Sequence, residues 1–206
     1  MNEHDMELPE VYIQPGESRL VKTPTILRTL LGSCVGIAFR VPRLGVGALC
    51  HPMLPRTPIK LAASLSRSAG RRYVDYAIRD LARQLDALGA RRDEVEVKLF
   101  GGGDVLVMTA NAKRPSVGTM NCEVAIKVLA EEGFAVNASS LGGTRGVNIL
   151  FNTQTGEVLL QRHSSMAVPP QSLECQTRSP RSVELTWTGQ EDWNRTPNGK
   201  ALGPDR

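Results

Sequence analysis

The apolar positions of this chain fall into short runs broken by glycine, proline and charge. Thr25 to Leu31 and Val35 to Val41 are two such runs, separated only by Gly32-Ser33-Cys34. Each is short and sharply bounded, which predicts a β-strand. Pro42-Arg43-Leu44-Gly45 then interrupts the pattern as a hairpin turn, and Val46 to His51 reads as the returning strand. From Arg71 to Leu88 the period changes. Val74, Ile78, Leu81, Leu85 and Leu88 recur at three- and four-residue intervals, an amphipathic helix that Gly89 ends. Val95 to Phe100 is a charged, alternating strand that runs into Gly101-Gly102-Gly103. Asn121 to Glu132 carries a second helical stripe at Val124, Val128 and Leu129, closed by Gly133. Phe134 to Ala138, Val147 to Asn152 and Val158 to Arg162 read as strands, the last two joined by a turn at Gln154-Thr155-Gly156. Strands outnumber helices and several pair as hairpins. The expected fold is α/β in the α+β sense, a layered mixed β core flanked by two main helices.

The first hairpin carries the candidate chemistry. Cys34 sits at the junction between two strands, and His51 closes the returning one 17 positions later. With Arg43 and Leu44 at the tip, the end that holds His51 comes back beside the strand that starts after Cys34. Gly32 and Ser33 leave little bulk around the Cys34 backbone, which suits a thiol at a turn with free amide N–H groups. Pro52 and Pro55 stiffen the segment after His51, and a fixed imidazole is a better base than a mobile one. A free thiol, with a pKa of roughly 8.5, is mostly protonated at neutral pH and needs such a base to become a nucleophile. Its attack on a carbonyl carbon would place an oxyanion near the backbone of Gly32, Ser33 and Cys34, and the protonated imidazole would serve the leaving group. The other reading of the same residues is a core thiol and a structural or surface histidine, and spacing alone leaves both open. Cys50 adjoins His51, but neighbouring strand residues point to opposite faces, which assigns Cys50 to the core.

Composition narrows the field. At 206 residues and 41% hydrophobic content the chain can bury a sizeable core, and with 4% aromatic residues aliphatic side chains must supply most of it. A net charge of +4 and a pI near 9.0 would suit nucleic acid, yet the basic residues lack aromatic interleaving and form no nucleic-acid motif. Arg67, Arg71 and Arg72 make the densest basic patch, expected as a solvated surface or as a contact to acidic helical faces. No apolar run approaches the roughly 20 residues that cross a bilayer, and the acidic MNEHDMELPE start lacks the regions of a signal peptide. The expectation is a cytoplasmic protein without membrane insertion. Cys34, Cys50, Cys122 and Cys175 form no CxxC pair and are expected as reduced thiols, with no metal. Gly101, Gly102 and Gly103 are followed by no GK[ST], so a nucleotide loop is not expected, and neither is any other cofactor. The segment from Ser164 to Arg206 is rich in Pro, Ser, Thr, Gln and charge and has no sustained period, the composition of a disordered tail, with Trp187 and Trp193 as a candidate docking element.

Five strings in order, LLGSCV, GALCHPMLP, FGGGDV, VGTMN and LGGTRGVNILFNTQTGEV, resemble the CheD family, the chemoreceptor glutamine deamidases of bacterial chemotaxis, over Pro15 to Arg162. The resemblance implies a flexible N-terminus over 1–14, a deamidase domain over 15–163 and the tail over 164–206, with a layered architecture similar to that of the cytotoxic necrotizing factor deamidases. It implies a cysteine hydrolase of side-chain amides with Cys34 as nucleophile and His51 as its partner. A threonine upstream completes the family's set. In one form of the family it lies six positions before the cysteine, where this chain has Arg28, and Thr29, five before, is the residue carried over. Gly101, Gly102 and Gly103 are expected as substrate-binding residues at the rim of the site, and Gly142, Gly143 and Thr144 either in the groove that takes a receptor helix or in a plain turn between strands. Ser139 and Ser140 stand where the family often has an acidic residue, and Met120 where it often has arginine. The implied partners are methyl-accepting chemotaxis receptors and a CheC-like phosphatase. Methylesterase action on the same receptors, or an adaptor role with little catalysis, are the alternatives.

Overall fold

The chain runs through β1 (Glu10–Tyr12), β2 (Ser18–Val21), β3 (Ile26–Leu31), β4 (Val35–Val41) and β5 (Val46–Cys50), then α1 (Arg67–Gly70) and α2 (Val74–Ala87). After these come β6 (Glu96–Gly101), α3 (Val117–Glu131), β7 (Val136–Leu141), β8 (Val147–Asn152) and β9 (Val158–Arg162). The structure is a computed structural model that describes residues 8–105 and 115–162. The expected tail from Ser164 onward, with both tryptophans, lies outside the described residues.

The strands form two sheets, a four-stranded one in the order β1-β3-β8-β9 and a five-stranded one in the order β2-β5-β4-β6-β7. Both are mixed, with parallel pairs at β1/β3 and β6/β7 and antiparallel pairs elsewhere. The five-stranded sheet is the middle layer. On one face Val35, Ile37, Phe39, Val46, Ala48 and Val97 pack with Val74, Ile78, Leu81 and Leu85 of α2 and Val124, Val128 and Leu129 of α3. On the other, Ala38, Leu49 and Phe100 meet Leu27 and Leu31 of β3 and Ile149 and Phe151 of β8. Because β4 is covered on both faces from Val35 to Phe39, it reads there as a continuous apolar run rather than an alternating one. Phe39 is fully buried and meets the Phe134 ring edge-on at 5.4 Å and 69°. Its burial stabilises by about 1.5–3 kcal/mol. The sheets approach closely at Gly47, where an added Cβ would lie 2.4 Å from Thr153 Cβ, so no larger residue fits there.

This is the layered mixed β core with two main helices that the periodicity predicts. Several boundaries differ for identifiable reasons. α3 starts at Val117 rather than Asn121 because Ser116 caps it, its Oγ accepting from the Thr119 N–H at 3.0 Å. Phe134 turns into the helix-side core, so the strand expected at Phe134 to Ala138 lies at Val136–Leu141 instead. Glu10–Tyr12 and Ser18–Val21 are too short to show a period, yet each adds to a ladder, on β3 and β5. The folded unit thus begins ahead of position 15. The basic patch is partly spent within the fold, since Arg67 Nε and Arg71 Nε pair with the buried Asp80 at 2.7 and 3.1 Å.

Candidate active site

β3 belongs to one sheet and β4 to the other, so Gly32-Ser33-Cys34 carries the chain across the gap between them. The β4–β5 hairpin pairs Val41 with Val46 near its tip and Ile37 with Cys50 toward its open end. One step further the Val35 N–H donates to the Pro52 carbonyl at 3.3 Å. That bond closes the hairpin at the end holding Cys34 and His51, as the spacing requires.

Alternation then decides which side chain faces which layer. Cys50 belongs to the helix-side core, is 0% exposed, and has its thiol pushed up to about 12 by burial. His51, the next residue, faces the other sheet and meets Thr29 of β3, whose Oγ1 lies 2.7 Å from His51 Nδ1. Within β3 the inward positions are Leu27, Thr29 and Leu31, while Arg28 points out and pairs with Glu10 at 2.8 Å. The five-position spacing therefore places threonine rather than Arg28 against the histidine.

The hydrogen-bond pattern also sets the tautomer of His51. Thr29 Oγ1 has one hydrogen and lies 2.7 Å from the Ile13 carbonyl, which can only accept. With that hydrogen on Ile13, the contact at Nδ1 is a hydrogen bond only if the ring donates. Nδ1 thus carries the proton and Nε2 the lone pair. The backbone around His51 is held by the β1–β2 loop, its N–H donating to Glu17 at 2.9 Å and its carbonyl accepting from Gly16 at 2.7 Å. His51 is 1% exposed, and burial lowers its pKa to about 4, opposed by the Ile13 carbonyl. Burial raises the Cys34 thiol, opposed by its own backbone N–H. Both groups are neutral at neutral pH. The resting pair is therefore a neutral thiol and a neutral imidazole rather than a thiolate and an imidazolium.

The glycine clusters lie directly behind the turn. Gly102 N–H donates to the Cys34 carbonyl at 2.7 Å and Gly103 N–H to the Gly32 carbonyl at 2.9 Å. Gly101 and Gly102 have φ of 88° and 65°, and a Cβ on Gly101 would lie 2.5 Å from the Cys34 carbonyl oxygen. All three of Gly101, Gly102 and Gly103 are buried and face this turn rather than solvent. The second cluster stacks on the first, with Gly142 N–H donating to Gly101 at 2.8 Å and Asp104 N–H to Gly143 at 2.7 Å. Gly143 and Thr144 are exposed beside them. The amides of Ser33 and Cys34 meet no oxygen acceptor among the described residues.

Two participants escaped sequence reasoning. The Ile13 carbonyl has no side-chain signature. Asn121 was within reach: it lies one turn before Val124, a polar residue on the buried stripe of α3, and is 0% exposed. Its Nδ2 donates to the Ser33 carbonyl at 2.9 Å and to the Met53 carbonyl at 3.0 Å.

The family model described as CheD chemotactic sensory transduction matches residues 53–162, more than half of the chain. The "Probable chemoreceptor glutamine deamidase CheD 2" of Geobacter sulfurreducens is 42% identical over 156 residues, 76% of this chain and 91% of the relative. A protein of Maridesulfovibrio salexigens, "Probable chemoreceptor glutamine deamidase CheD", is 36% identical over 79% of this chain and 96% of its own length. One from Oleidesulfovibrio alaskensis bearing the same description is 33% identical over 88% and 87%. On the extent of the family match and the near-complete cover of these relatives, the chain belongs to the CheD family.

Proposed function

We propose that this protein hydrolyses the side-chain amide of glutamines in chemoreceptors, with Cys34 as nucleophile, His51 as general base and acid, and Thr29 orienting the imidazole. The observation that carries the reading is the Ile13–Thr29–His51 chain of hydrogen bonds, which leaves Nε2 free to accept a proton at the hairpin end shared with Cys34. In this mechanism Nε2 takes the thiol proton as sulfur attacks the carboxamide carbon. The N–H groups of Ser33 and Cys34, with Gly32 keeping the turn narrow, hold the resulting oxyanion. As the C–N bond breaks, the imidazolium gives its proton to the departing ammonia and a thioester remains. Water, deprotonated by neutral His51, then cleaves the thioester, releasing glutamate and restoring the thiol.

Gly101, Gly102 and Gly103 take a supporting role in this reading, and the exposed Gly143 and Thr144, with Gly142 at their base, contact the receptor helix. Conversion of glutamine to glutamate places a charge on a helical bundle and changes repulsion between its neighbours. A glutamyl methyl ester would form the same thioester, so methylesterase action on these receptors belongs to the same proposal. The reaction takes place in the cytoplasm, and a CheC-like phosphatase is the second partner that family membership suggests. Among the described residues no helix is long and apolar enough to cross a membrane.

The test is peptide mass spectrometry of a receptor cytoplasmic fragment incubated with wild-type protein or Cys34→Ala, following replacement of amide by carboxylate. A Cys34-dependent mass gain at defined glutamines is expected. Binding without any gain would favour the adaptor role.

A further inference from the structure

The peptide units of the nucleophile turn are oriented one by one. In a trans peptide the carbonyl and the N–H of one unit point in opposite directions. The Cys34–Val35 unit shows the rule at work: its oxygen accepts from Gly102 while its N–H donates the other way, to Pro52. One unit earlier, Asn121 Nδ2 holds the Ser33 carbonyl at 2.9 Å, which turns the Cys34 N–H away from α3. One unit earlier again, Gly103 holds the Gly32 carbonyl, which turns the Ser33 N–H away from the glycine segment.

We propose that Asn121 is a positioning residue for the oxyanion: by holding the Ser33 carbonyl it aims the Cys34 N–H at the negative oxygen that develops during acyl transfer to Cys34. The proposal rests on the reading of Cys34 as the acylated nucleophile. A second feature points the same way. The other Nδ2 hydrogen goes to the Met53 carbonyl at 3.0 Å, so one buried amide joins the nucleophile turn to the segment that follows His51. An amide is a costly choice at this place, because Asn121 Oδ1 is buried without a partner among the described residues. An apolar side chain would avoid that cost. It would also lack the two donors that the carbonyls of Ser33 and Met53 require.

The experiment compares two reactions of Cys34 in the full chain. S-acetylation by p-nitrophenyl acetate forms an S–C bond, expels p-nitrophenolate, sends the thiol proton to solvent through His51, and passes through an oxyanion. Alkylation by iodoacetamide displaces iodide and creates none. Asn121→Asp keeps the shape but removes the donors, and Asn121→Ser shortens the side chain beyond reach of both carbonyls. For both variants acetylation is expected to slow by about 10- to 100-fold, with alkylation changed by less than about threefold. On receptor fragment kcat should fall with KM unchanged. Equal slowing of both reactions, or no slowing of acetylation in folded variants, overturns the proposal. Should neither variant fold, the Cys34 amide proton of the wild type is followed by NMR on hemithioacetal formation with acetaldehyde. A downfield shift supports the assignment and an unmoved resonance overturns it. Wild-type protein that is acetylated at Cys34 but leaves receptor glutamines intact would instead refute the substrate reading, and the two failures stay distinct.

Discussion

The two faces of the β4–β5 hairpin have different fates although one strand pair makes both. The helix-side face is apolar to its end, finishing in Cys50, whose Sγ donates weakly to the Ile37 carbonyl at 3.7 Å. The sheet-side face is apolar only as far as Leu49, and beyond it come His51 and, across the gap, Thr29. Cys50 and His51 are adjacent and both buried, yet one is packing and the other is hydrogen-bonded to the facing sheet. The difference arises from what lies opposite. α2 and α3 present aliphatic side chains to the first face, whereas β3 presents a hydroxyl whose own hydrogen is committed to Ile13. A buried polar group persists where its partner is supplied by a different layer.

Substitutions on the sheet-side face test that contrast most severely. Cys34→Ala and His51→Ala should each lower kcat on a receptor fragment by about 10³-fold or more, since the proposed nucleophile and base act as a unit, while circular dichroism stays native. Thr29→Val keeps the shape and removes the acceptor from Nδ1. It should cost about 10- to 100-fold in kcat by releasing the tautomer, with Thr29→Ser restoring most of the rate. If Thr29→Val is silent, the orienting role belongs to Ile13 alone. On the helix-side face Cys50→Ala should leave kcat within about twofold and remove no more than about 1–2 kcal/mol of stability, read by urea denaturation. A large loss of activity there would erase the distinction between the faces.

Acid titration sharpens the comparison further. His51 has a folded pKa of about 4 against an ordinary 6.5, so between these values the unfolded chain binds the proton that the folded one refuses. The His51 contribution to stability therefore falls as pH drops from about 6.5 toward about 4, by a few kcal/mol at most, and levels off below. His51→Gln, which does not titrate, should flatten this slope. In the same way the acidic limb of the rate should lie near pH 4 rather than in the usual imidazole range. A limb near 6.5 would mean that the site is wetter than its packing indicates.

Much of this protein follows from its sequence alone. Runs such as Val147–Asn152 and Val158–Arg162 declare themselves by composition and by the turn between them, and both strands lie where the pattern puts them. The stripe from Val74 to Leu85 likewise names the buried face of α2. Cys34 and His51 stand out because a thiol and an imidazole flank one hairpin, and a hairpin is a local object whose register its own turn sets. β1 and β2 were illegible for the opposite reason. Three or four residues carry no period, and they become strands only because β3 and β5 have edges to offer. Tertiary structure alone decided that Thr29 rather than Arg28 meets His51, since which face of β3 turns inward depends on a second sheet being there. It alone recruited the Ile13 carbonyl and Asn121, 88 positions from the Ser33 carbonyl it holds. Hydrogen bonds between distant segments depend on the packing of whole layers, and no local pattern of side chains encodes that packing.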